Sequence, residues 1–151
     1  MSEKERLKNS LLNLEYGKVA VLAMVERGVY ADSEDRFDFK EEECAWKIQA
    51  KVVTDLAMEV KKADEDVLII GRKEEEKALG QADFESFIAQ LKGEKHLVFI
   101  ECLSLGTTEI KGILNQLLEE KKFATTKLVL LDLPTIEYMT LRDAFHDVIA
   151  F

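Results

Sequence analysis

The sequence predicts an α/β domain: a three-layer fold around a mainly parallel sheet of four to five strands. Three observations carry this expectation. Short apolar runs of strand length recur at Lys18–Val25, Val67–Ile70, Leu97–Ile100 and Leu128–Leu131. The runs are continuous, as in strands covered on both faces. Each is followed by a segment with apolar residues at helical spacing. Strands that alternate with amphipathic helices imply right-handed crossovers and helices on both faces of the sheet.

The elements follow in order. Residues 3–15 carry Leu7, Leu11 and Leu14 at helical spacing and predict a leading helix. Lys18–Val25, KVAVLAMV, is the first strand. Residues 26–38 are polar and irregular and read as a long loop. From Phe39 to Lys62, Cys44, Ile48, Val52, Leu56 and Val60 recur every four residues along one helix face, and Asp38 is placed to cap its start. Val67–Ile70 is the second strand, and 71–81 a charged loop bracketed by glycines.

Ala82–Leu91 is helical through Phe84, Phe87, Ile88 and Leu91, with Gly93 as a stop. Leu97–Ile100 is the third strand. Thr108–Lys122 is a helix with Ile110, Ile113, Leu114, Leu117 and Leu118 on one stripe, and Lys121 and Lys122 suit its C-terminal dipole. Leu128–Leu131 is the fourth strand, ended by Pro134, the only proline. Thr140 and Asp143 resemble a capping box for a last helix carrying Leu141, Phe145, Val148 and Ile149.

The chain has 151 residues, enough for one domain spanning 1–151, with the leading helix at 3–15 and the core at 18–150. It is 47% hydrophobic and 34% charged, a globular composition. No apolar run approaches the roughly 20 residues of a membrane span, and MSEKERLKNS lacks a signal-peptide core, so a cytoplasmic protein is expected. Cys44 and Cys102 form no disulfide or metal framework and read as buried free thiols. The net charge of -9 argues against direct DNA binding, because nucleic-acid affinity rests on Lys and Arg displacing counterions.

In a parallel sheet, chemistry sits beyond the carboxyl ends of the strands. Four loops therefore matter: 24–38, 71–81, 101–108 and 132–139. The first offers Glu26, Asp32, Ser33, Glu34 and Asp35, but no Asp-x-Asp-x-Asp-Gly pattern, so no metal is expected. Gly106, Thr107 and Thr108 open a helix and form a candidate anion site at its N-terminus, although capping by Thr107 or Thr108 explains the same residues. No Gly-x-Ser-x-Gly elbow is present, and His96 and His146 fall away from the productive ends. No cofactor is expected.

The segment LVFIECLSLGTTEIKGILNQLLEEKKFATTKLVLLDLPTIE, 97–137, resembles the catalytic domain of serine recombinases, the resolvase/invertase family. ADFESFIAQLKGEK, 82–95, looks like the family helix that leads into the third strand, and KVAVLAMVER, 18–27, falls on its first strand. The resemblance covers roughly residues 18 to 150 and rests on the order of segments. It implies a resolvase-like, flavodoxin-like sheet of strand order 2-1-3-4, and a last helix, here 140–151, that pairs subunits.

The resemblance implies departures as well. The nucleophilic serine falls at Glu26, and the family's arginines fall at Met24, Gln81, Ser104 and Thr107. Its tyrosine falls at Leu22, and the acid or serine ahead of Ser104 at Leu103. In another register Ser33 would be the nucleophile, without restoring any loop arginine. Phosphodiester attack needs planar, permanently charged donors around the phosphoryl oxygens. One well-placed donor is worth about 2.7–4 kcal/mol, so these replacements together are expected to abolish strand exchange. No DNA-binding module is expected after the last helix.

The sequence therefore predicts a catalytically inactive recombinase-like domain, linked to DNA recombination or mobile-element biology, that works through protein contacts or self-association by helix 140–151. The alternative is a flavodoxin-like domain that binds a phosphate-bearing ligand at the 104–109 loop.

Overall fold

The computed structural model describes residues 3–22, 44–70, 88–91, 93–102, 107–144 and 148–150. Helix α1 spans Glu3–Leu12 and leads into strand β1, Lys18–Leu22. Helix α2, Cys44–Val60, precedes β2, Asp66–Ile70. Residues 88–90 are helical and lead to β3, His96–Glu101. Helix α3, Thr107–Glu119, and a 3-10 turn at Phe123–Thr125 precede β4, Thr126–Leu131. Helix α4, Thr135–Ala144, is followed by β5, Val148–Ala150.

The five strands form one sheet in the order β2-β3-β4-β1-β5, and every pairing is parallel. β1 and β4 pair from Lys18↔Lys127 to Leu22↔Leu131. β3 and β4 pair from His96↔Thr126 to Glu101↔Leu131. All six residues of both β3 and β4 are buried.

Two apolar cores flank the sheet. Leu7, Leu11 and Leu14 join Val52, Leu56 and Val60 of α2 over Ala20, Leu22, Phe99 and Leu131. On the other face Ile110, Ile113, Leu114 and Leu117 of α3, with Leu141 of α4, pack on Val19, Val98, Ile100 and Leu130. Neighbouring residues of β1, β3 and β4 thus enter opposite cores, as the period of two requires. This double burial explains why the strands read as continuous apolar runs.

Crossover geometry accounts for the layering. The step from β1 to β2 passes over β4 and β3 with α2 on one face. The later steps return the other way with α3 and α4 on the opposite face. A single crossover hand requires this exchange of faces when the direction reverses.

The α/β class and parallel pairing agree with expectation, and the strand order does not. β1 lies between β4 and β5 rather than between β2 and β3. Every strand is an apolar run, so the runs themselves carry no neighbour information. Burial on two faces selects the order: β1, β3 and β4 are sealed, whereas β2 has only exposed and half-buried residues and takes an edge.

The last helix is also corrected. No single helix spans 140–151, because α4 covers Thr135–Ala144 and Val148–Ala150 is a strand beside β1. Pro134 starts the helix: its carbonyl accepts from the Tyr138 N–H at 2.9 Å, and a proline fits an N-terminus where no N–H is needed. Thr140 lies inside the helix, where its hydroxyl donates back to the Ile136 carbonyl at 3.0 Å, so it caps nothing. Val148 and Ile149 add a partner strand to β1, opposite Val19 and Ala20.

The end of α3 shows a local device that no glycine announces. The Lys122 N–H bonds the Leu117 carbonyl at 2.9 Å and the Lys121 N–H bonds the Leu118 carbonyl at 3.1 Å. This is a Schellman pair, and it holds Lys121 at φ 58, a left-handed conformation usually given to glycine. The Lys122 ammonium donates to the Leu91 carbonyl at 2.9 Å and ties the segment before β3 to the end of α3.

Candidate functional site at the carboxyl edge

β1 sends the chain to one face of the sheet, and β4, its neighbour, sends it to the other. Their carboxyl ends therefore flank the switch point, where parallel α/β sheets hold ligands. Among the described residues, Leu22, Glu101, Cys102, Leu131 and Asp132 lie at this edge.

The backbone closes the edge tightly. The Asp132 N–H donates to the Leu22 carbonyl at 2.8 Å, and the Cys102 N–H donates to the Leu131 carbonyl at 2.9 Å. The ladder thus runs one residue beyond β3 and β4. Asp132 has φ 55, a left-handed turn that aspartate tolerates better than most side chains and that redirects the chain towards Pro134.

Two acids are buried here. Glu101 is 6% exposed and Asp132 7% exposed, on adjacent strands. Next to Glu101 in the chain, Cys102 is fully buried, and its thiol donates to the Ile100 carbonyl at 3.3 Å. Burial first, then the Glu101 carboxylate, raises the Cys102 pKa far above the ordinary thiol range. A thiol held protonated is a poor nucleophile and a poor metal ligand. Glu109 adds a third acid in the first turn of α3.

The N-terminus of a helix such as α3 favours an anion by about 0.3–1 kcal/mol. Of the anion site expected at Gly106, Thr107 and Thr108, only the two threonines are described. Thr107 begins α3 and Thr108 is solvent-exposed, while Gly106 lies outside the described residues.

Of the recombinase-equivalent positions, Met24, Glu26, Gln81, Leu103 and Ser104 lie outside the described residues, as does Ser33. Leu22 is buried at the end of β1 and contributes to the core, not to the edge surface. His96 is buried at the amino end of β3, away from the carboxyl edge. Among the described residues no three His, Cys, Asp or Glu side chains are grouped to hold a metal. No helix among them is long and apolar enough to cross a membrane.

The opposite, amino edge holds a cluster that sequence reasoning missed. The Lys127 ammonium lies 3.0 Å from a Glu65 oxygen, with both side chains almost fully buried. The Tyr16 hydroxyl donates a short bond to the same oxygen, and the Lys62 N–H donates to the other at 2.8 Å. Lys127 also sits 4.6 Å from the Tyr16 ring centroid. Desolvation pushes Glu65 up, but the bonds from Tyr16, Lys62 and Lys127 outweigh it and hold the carboxyl below its usual range. Burial, then the bond to Glu65, raises the Tyr16 pKa above the ordinary phenol range. The one available signal was Lys127 itself, a lone charge inside the apolar run TKLVLL.

The cluster joins the α1–β1 connection, the α2–β2 connection and β4, and its groups satisfy one another. It therefore reads as a structural tie. Taken together, the described residues define a doubly wound, all-parallel α/β domain with two buried acids at its carboxyl edge. Comparison with protein-family models, with curated proteins and with solved structures returned no match.

Proposed function

We propose that this chain is a non-catalytic α/β domain that acts through protein contacts, and that it does not cleave or transfer phosphodiesters. The observation that supports this reading is the acidity of the chain, with Glu101 and Asp132 buried at the carboxyl edge of the sheet. Cys102, next to Glu101 in the chain, is held protonated by burial. The net charge of -9 adds long-range repulsion of a nucleic acid.

The contact surface in this reading is α4. Ile136 and Met139 lie one turn apart on it and are 78% and 61% exposed, more than any other large apolar residue described except Met58, which is 63% exposed. Neighbouring exposed apolar side chains are a feature of association sites. This replaces the helix expected at 140–151 with Thr135–Ala144 as the contact element. The link to DNA recombination rests on the sequence pattern alone, because the strand order that pattern implies is not the one observed.

Two experiments test the proposal. Covalent trapping on supercoiled DNA is expected to give no protein–DNA adduct, and an adduct through any serine overturns the non-catalytic reading. Sedimentation velocity over a concentration series is expected to show self-association that Ile136→Glu with Met139→Glu abolishes. A monomer at every concentration removes the self-association part. The alternative, a phosphate-bearing ligand at the start of α3, predicts thermal stabilisation by nucleotides, FMN or sugar phosphates. No stabilisation by any of these ligands removes the main support for that alternative.

A further inference from the structure

We draw no further inference here: the strongest candidate, the apolar outer face of edge strand β2 around the 36% exposed Ile69, carries nothing because nothing in the structure shows what covers it.

Discussion

Lys127→Met tests whether the amino-edge cluster holds the fold as the geometry implies. Methionine keeps most of the apolar stem and removes the ammonium. Glu65, 1% exposed, then loses the partner at 3.0 Å but keeps the bonds from Tyr16 and the Lys62 N–H. Breaking a buried ion pair by removing one partner costs about 3–5 kcal/mol. The two remaining bonds place the loss near the lower end. The lost contact with the Tyr16 ring adds back roughly 1 kcal/mol. The expected cost is therefore about 4 kcal/mol at neutral pH, a large share of the 5–15 kcal/mol by which domains are stable.

The comparison that isolates the charge is Glu65→Gln combined with Lys127→Met. Glutamine keeps an oxygen for the Lys62 N–H, turns its NH2 towards the Tyr16 oxygen, which can accept, and buries no charge. Since the net worth of a buried pair over a neutral replacement is small, the double variant is expected to recover all but roughly 1–2 kcal/mol. Urea unfolding read by circular dichroism measures both. With a slope of about 2 kcal/mol per M, the single variant shifts the midpoint down by about 2 M and the double by less than about 1 M. A single variant that loses under about 1 kcal/mol refutes the reasoning. So does a double variant no more stable than the single one.

Three further outcomes follow from the same geometry. The Glu65 carboxyl is held below its unfolded value of 4.5. A depressed acid contributes stability that is complete above that value and is lost as pH falls through the folded one. Unfolding midpoints should therefore decline below about pH 4.5, with a shallower decline once Glu65→Gln removes the titrating group; an unchanged slope in that variant assigns the effect elsewhere. Cys102, fully buried and shifted up by burial, should resist a thiol reagent in a Cys44→Ser background until denaturant opens the fold, and rapid labelling of the native protein contradicts its placement. Among glycines the sign of an alanine substitution should differ by site. Gly93→Ala places a Cβ 2.7 Å from Asp66 Oδ2 at φ +90 and should cost roughly 1–3 kcal/mol, whereas Gly112→Ala meets nothing within 4 Å inside α3 and should gain about 0.5–1 kcal/mol. Equal effects at the two positions, measured by thermal unfolding, defeat the argument.

Local pattern determined a good deal by itself. Leu7, Leu11 and Leu14 announced a leading helix face, and all three are buried in one core. Ile110, Ile113, Leu114, Leu117 and Leu118 announced a second face; the first four lie in the other core, whereas Leu118 is 50% exposed. The apolar runs at β1 to β4 announced strands sealed from water, which holds for β1, β3 and β4. These features depend on residue periodicity, and periodicity is visible in one dimension. The candidate edge was legible only in outline. The 101–108 and 132–139 loops were marked as positions to inspect, but nothing marked Glu101 and Asp132 as buried neighbours.

Tertiary structure decided the rest. Strand order depends on which apolar runs are sealed from both sides, and equal runs are indistinguishable until helices are placed over them. Val148–Ala150 carries apolar residues that suit either a helix or a strand, and the open side of β1 selected the strand. Glu65 and Lys127 stand 62 positions apart in the sequence, yet they share an ion pair of 3.0 Å because a parallel sheet aligns the starts of distant strands. The same alignment brings Glu101 and Asp132 to one edge. Periodicity along a chain specifies which face of an element is buried, whereas the charge at a sheet edge depends on which ends the crossovers bring together.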